Sequence, residues 1–353
     1  MTRVTRLTPL ALLVGALAAG ACSDSNTPEA INPSTVSAGV EGLSSALSSS
    51  LAYQSLRELS GLFAFSAAGG AAAAVEATLP PLAGEERRFA LRGFEHLPLT
   101  SSALLGPAGT QALFPSDVLG KTFKWDEVQD KYVVDPNSEG APTNGVRFLL
   151  YLVNQTTHRP QEPVQGTGYV DLVDVSTASA NKLQVIVKYL SQTIADYTIT
   201  GTEAVSPPTV TLRANGYVMN ETNRLGFDLL LITTATQVVM DYALSGTNGY
   251  TASVEMTGNL TTGAVTILWS VSRSGNTVEV SGNSSAAAVS CQIKFNGVVV
   301  ATVTGVPGSP TVTAASGRTF TAQDLAALRA IFEGFDGLND QLDGVFKPAA
   351  LVF

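Results

Sequence analysis

The sequence predicts a mainly β protein, a large antiparallel meander sheet, curved or a partial barrel, with an amphipathic helix before it and another after it. Three observations carry this. From Lys121 onward, segments about ten residues long alternate apolar and polar side chains, the period of a strand with one wet face. The joints are short and rich in Gly and Asn, and no helical pattern long enough for a crossover falls between them, which argues against Rossmann and TIM architectures. A composition of 45% hydrophobic and 14% charged residues supplies enough apolar material to offset chain entropy, which excludes a disordered chain.

The elements follow in chain order. Apolar positions at Val36, Val40, Leu43, Leu47, Leu51, Leu56, Leu59 and Leu62 fit one helical face over residues 34–65, with a slip near Leu51. The opposite face is mostly Ser, and Gly39 and Gly42 weaken the start, so this helix needs packing to persist. Ala67–Ala77 is low in complexity, and recurrent Pro and Gly make Leu79–Leu119 a loop-rich connector. Phe123 and Trp125 open the strand series, and Tyr132 and Val134 return after an acidic turn. Val146–Val153 is more continuously apolar, as a central strand is. Further strands are read at Tyr169–Val175, Leu183–Tyr189, Ala195–Thr200, Val210–Met219, Leu225–Ile232, Val238–Leu244, Tyr250–Met256, Val265–Val271 and Val278–Val280. Asn296-Gly297 predicts a type I′ hairpin turn, because both central residues need positive φ. Beyond Thr313, Thr321 and Asp324 form a capping box with Asp where Glu is usual. Leu325, Leu328, Ile331, Phe332, Phe335, Leu338 and Leu342 then mark an apolar stripe expected to cover the sheet. The organisation is a signal peptide at 1–21, a polar tether at 22–33, a helical and loop-rich region at 34–120, a β domain at 121–315, and a helix and tail at 316–353.

The signal peptide is read from its order: Arg3 and Arg6 with no acid, an apolar core from Leu10 to Ala18, then small residues up to Cys22. The core is too short for ~30 Å of hydrocarbon and has signal-peptide length. Ala19-Gly20-Ala21-Cys22 resembles the lipobox of bacterial lipoproteins, with Ala19 where Leu is usual. The resemblance implies that Cys22 is acylated and becomes the first mature residue. Ser23 beside it implies the outer membrane if the source is Gram-negative. Ala19-x-Ala21 also satisfies ordinary signal cleavage, which would release a soluble protein. Without Arg3 and Arg6 the mature chain has 18 Lys+Arg against 29 Asp+Glu, a net −11. That acidity argues against nucleic-acid partners and against electrostatic binding to an anionic bilayer.

Chemistry is hardly written in the chain. Its two histidines, His96 and His158, lie in expected loops, and no Gly-x-Ser-x-Gly elbow occurs. Two His without CxxC or HExxH leave no readable zinc site. Cys291 sits on the apolar side of a strand as a small hydrophobe, away from Lys294 on the opposite face. Asp171 and Asp174, three apart, fall on opposite faces of one strand and cannot act as a carboxylate pair. Asp135, Asn137 and Glu139 imitate the first half of a calcium loop, but Val146 holds the closing position, so a turn is the simpler reading. Asp126, Glu127 and Asp130 form a solvated acidic tip. Gly166-Thr167-Gly168 lacks a third Gly and a following helix, so no nucleotide cofactor is implied. Trp125 and Trp269 could stack on sugars, although core packing is their commoner use. The sequence thus points to a non-enzymatic, lipid-anchored envelope protein with a structural or binding role, its partner an envelope protein or a hydrophobic ligand. Two alternatives stand: a carrier with a cavity between sheet and helix, and a carboxylate-dependent hydrolase.

Overall fold

A computed structural model of the chain describes residues 43, 47–64, 112–220, 223–306, 309–315, 319–324, 326, 338, 341–342 and 344–352. The signal peptide, Cys22, the tether, the Ala67–Ala77 run, His96, and Leu325 to Phe335 of the C-terminal stripe lie outside them. The strands are β1 (Thr122–Asp126), β2 (Lys131–Val134), β3 (Gly145–Tyr151), β4 (Val153–Asn154), β5 (Arg159–Pro160) and β6 (Gly166–Asp174). Then come β7 (Asn181–Tyr189), β8 (Gln192–Val205), β9 (Pro208–Met219), β10 (Arg224–Thr234), β11 (Gln237–Gly246) and β12 (Thr251–Asn259). The series closes with β13 (Val265–Arg273), β14 (Asn276–Ser284), β15 (Val289–Phe295), β16 (Val298–Val306) and β17 (Ser309–Ala314).

Among the described residues, fifteen of these form one open sheet in the order β17-β16-β15-β14-β13-β12-β11-β10-β9-β8-β7-β6-β3-β1-β2, and β4 pairs only with β5. From β6 to β17 every neighbour is antiparallel and consecutive, the expected meander. The expectation fails at the other end. There β1 stands between β2 and β3 and runs parallel to β3, with Phe123 opposite Phe148. The reason is local: β2 ends beside the start of β1, where Asp135 N–H donates to Thr122 O. The loop over residues 135–144 therefore reaches the far side of β1 without changing ends, and no helical crossover is needed.

One face of the sheet is dry. Leu183 and Val185 on β7, Tyr197 and Ile199 on β8, and Leu229 and Leu231 on β10 belong to a single buried cluster with Val254, Trp269 and Ile293 further along. The intervening residues form the wet face: Arg213 donates twice to Asp228, Ser253 meets Ser270 at 2.9 Å, and Lys294 pairs with Glu279 at 2.6 Å. This one-sided burial is what made the alternation readable. Asn296 and Gly297 have φ of 50° and 80°, the type I′ geometry expected of them.

The helical segment over 34–65 is not continuous. Ser50 is an N-cap, with extended backbone and a side chain accepting from Tyr53 N–H, and it starts α1 (Leu51–Leu59) afresh. The slip in the apolar pattern marks this restart, and Leu51, placed on the apolar face by spacing, is exposed. Leu43, Leu47, Leu56 and Leu59 are buried as expected. Ser55 is buried too, meeting Thr167 Oγ1 on β6 at 2.8 Å, so one serine of the supposedly wet face is turned inward. A 3₁₀ turn (Ser60–Leu62) then brings Phe63 onto Phe148, ring centroids 4.1 Å apart. At the other end of the chain the capping box forms: Asp324 N–H donates to Thr321 Oγ1 and Thr321 N–H to Asp324 Oδ2. Leu338, Leu342 and Val345 are buried, and Lys347, opening a 3₁₀ helix (Lys347–Leu351), reaches Arg57 O of α1 at 3.1 Å.

Candidate functional site

Three turns share one geometry. In each, a side-chain oxygen of the first residue accepts backbone N–H bonds two and three residues on: Asp126 from Val128 and Gln129, Asn154 from Thr156 and Thr157, Asn259 from Thr261 and Thr262. Each turn ends in a left-handed residue, Asp130 (φ 53°), His158 (φ 55°) and Gly263 (φ 70°). Glycine is the unstrained choice for that position, and the β12–β13 turn uses it. The other two turns carry side chains instead, and those side chains have partners. Asp130 makes an ion pair with Arg159 on β5, and His158 Nδ1 lies 2.8 Å from Glu58 Oε2 on α1. The β4–β5 hairpin is thereby tied to the β1–β2 turn on one side and to the helix on the other.

Between the two turns lies a cleft of about 590 Å³. Trp125, Val153 and Pro160, all buried, give it an apolar wall, while Gln155, Thr157, Gln161 and Glu162 give a polar rim. The wall is fixed from behind by an aromatic cluster: Trp125 stands edge-on to Tyr132 at 5.5 Å, Tyr132 edge-on to Phe148 at 5.3 Å, and Tyr132 Oη donates to Leu149 O. Chemically, the cleft offers hydrogen-bond donors and acceptors beside a small apolar wall. Its rim cation, Arg159, is already engaged by Asp130.

The tie to the helix carries a pH signature. Burial raises the pKa of the Glu58 carboxyl, but hydrogen bonds to His158 and Arg57 and the charges of Arg57 and Lys347 outweigh it, and the carboxyl sits below its ordinary value of 4.5. A depressed carboxylate stabilises the fold above its unfolded-state pKa, and that contribution is lost as pH falls through the folded value. Glu58→Gln should therefore flatten the acid limb, losing less stability than the parent between about pH 5 and about pH 3 in denaturant unfolding. Parallel curves for the two proteins would show that Glu58 carries none of it.

Other residues singled out by sequence take definite places. Asp135 accepts from Ser138 Oγ at 2.6 Å and from Asn137 N–H, and Lys124 pairs with it at 3.2 Å. Its carboxyl is held below the ordinary range by Ser138 first; Asp135 and Asn137 thus belong to a hydrogen-bonded turn, and Glu139 stands exposed beyond it. Among the described residues no three His, Cys, Asp or Glu stand together as ligands. Asp171 receives a bidentate contact from Arg147 at 2.6 and 2.9 Å, while Asp174 accepts from Leu113 and Ser176 N–H groups. The two acids are thus spoken for separately. Trp269 is core, and Cys291 is half-buried, its thiol pKa raised by burial. One expectation needs correction: the acidic tip is not wholly free, because Asp130 holds Arg159, whereas His158 is the exposed loop residue expected and meets Glu58 as well. Sequence reading missed the cleft. Its one legible trace was the repeated Asx-initiated five-residue turn, at Asp126, Asn154 and Asn259. No family model matches the chain, nor does any curated protein or solved structure.

Proposed function

We propose that this chain is an exported lipoprotein, held to the cell envelope by lipid on Cys22, whose β body has a binding or structural role and no catalysis of its own. The observation that carries the reading is the order of Met1 to Cys22: two arginines, a short apolar core, small residues, then cysteine. Ser23-Asp24-Ser25-Asn26-Thr27-Pro28 follows as a polar tether, and Ser23 fits delivery to the outer membrane in a Gram-negative cell. The outward face of the sheet supports anchoring over insertion. Asp241 stands directly opposite Glu255 there, both exposed, and charges on a lipid-facing surface are costly.

In the same reading the segments 34–65 and 316–353 are amphipathic covers for a curved sheet, with Phe332 and its stripe turned inward. The burial of Leu43, Leu56, Leu338 and Leu342 supports this. A carboxylate-dependent hydrolase gains little support, since Asp171 and Asp174 each have structural partners. A carrier gains little either, because α1 meets the sheet through packed side chains such as Leu56, Phe63 and Phe148.

Mass spectrometry of the protein expressed in a bacterium should show an acyl increment on the peptide beginning at Cys22, and Cys22→Ala should move the protein to the soluble fraction. A free thiol after cleavage at Ala21, or an uncleaved start, would reject the anchor.

A further inference from the structure

We infer that the cleft between the β1–β2 turn and the β4–β5 hairpin binds a neutral, hydroxyl-rich ligand, a saccharide in chemical class. The inference does not rest on the lipid anchor. It starts from the turns. Of three turns with the same hydrogen bonding, the one away from the cleft closes with Gly263, while the two that flank the cleft close with Asp130 and His158 in the same left-handed conformation. Side chains at such positions cost free energy that glycine avoids, at Leu190, Ser274 and Asn296 in other turns as here, so it is the partners of these two that bear on the cleft. Here they have an identifiable use. Asp130 holds Arg159 across the cleft, and His158 holds the hairpin to Glu58, so both walls are set before any ligand arrives.

The lining then selects the ligand. An anion would need a free cation, and the lining arginine, Arg159, is neutralised by Asp130 while Glu162 adds a negative charge. A hydrocarbon would strand the amides of Gln155 and Gln161 and the hydroxyl of Thr157, which are exposed at the rim. A sugar meets both demands. Each hydroxyl both donates and accepts, as a primary amide does, and the C–H groups of a pyranose tolerate a small apolar wall between polar rims. Trp125, 8% exposed, and Pro160 contribute the small apolar part of that wall, and the volume of about 590 Å³ lies within the range of small-ligand sites.

The test is calorimetric titration of the full chain with neutral di- and trisaccharides of α- and β-linked glucose, galactose and N-acetylglucosamine, with glucuronate and palmitate as charged and apolar comparators. At least one neutral sugar should bind saturably at one site per chain. Gln161→Ala, at an exposed rim position, should weaken that binding about tenfold, the loss of roughly one well-made hydrogen bond. Trp125→Phe, which keeps an aromatic ring in the wall, should weaken it less than Trp125→Leu. Ser253→Ala on the wet face of the sheet should leave it unchanged. Binding to none of the sugars, preference for glucuronate or palmitate, or sugar binding untouched by Gln161→Ala would each overturn the assignment. These results are separable from the anchor, which is read from the mass of the first peptide alone.

Discussion

Phe148→Ala should destabilise the fold by about 3–5 kcal/mol, the cost of removing a buried aromatic ring together with the cavity it leaves. Phe148 is fully buried on β3 and stacks on Phe63 at 4.1 Å and Phe123 at 4.8 Å, with Tyr132 edge-on at 5.3 Å. Those partners come from different parts of the fold: Phe63 follows α1, Phe123 lies on the parallel neighbour strand, and Tyr132 on the edge strand beyond it. Collapse of the surroundings into the vacated volume is therefore resisted from three sides, which places the loss in the upper part of the usual range for core deletions. Val128→Ala, at a turn position 95% exposed, is the matched control and should change stability by no more than about 0.5 kcal/mol. Denaturant unfolding measures both. Equal midpoints for the two variants would mean that the aromatic cluster does not hold α1 to β1–β3, and the wall of the cleft would lose its support with it.

The strands from β7 to β16 were legible because each presents one dry and one wet face, so a period of two is written directly into residues such as Val238, Met240 and Tyr242 against Val239, Asp241 and Ala243. Where the physics is not periodic the reading thinned. The strands β4 and β5 have two residues each, too few to show any period, and β17, short and with Pro310 inside it, lies within the expected β domain but shows no bounds of its own. Order in the chain departs from order in the sheet at β1–β3, and nothing in Phe123 or Phe148 announces that they lie side by side. The restart at Ser50 was visible as a slip near Leu51, but a slip in an apolar pattern does not distinguish a bent helix from a new N-cap. The cleft is hidden for a different reason. Glu58 and His158 are 100 residues apart, and a positive φ at Asp130 or His158 leaves a weaker mark on residue identity than a glycine would. Glycine would have announced the turn geometry; the residues that matter for the cleft are those that replace it.

Asp171→Ala should cost about 3 kcal/mol, the lower end of the range for removing one partner of a buried ion pair. Arg147 donates Nε to Asp171 Oδ1 at 2.6 Å and Nη2 to Oδ2 at 2.9 Å, and its guanidinium lies 3.9 Å from the centre of the Tyr169 ring. Hydrogen bonding to Asp171 raises the Arg147 pKa, so the cation persists when its acceptor is deleted and must find water at a side chain only 16% exposed. That residual exposure is why the lower end of the range applies. The pair replaced as a whole behaves differently: Arg147→Met with Asp171→Leu removes both desolvation costs and should be more stable than Asp171→Ala alone, so the double-mutant cycle returns a large coupling energy. A catalytic carboxylate would give the reverse pattern, since active-site groups are held at some expense to the fold and their removal is neutral or stabilising. If Asp171→Ala unfolded at the same denaturant concentration as the parent, Arg147 would not depend on it. Asp171 would then be available for chemistry, and the hydrolase reading would regain the acid that the present structure assigns to the sheet.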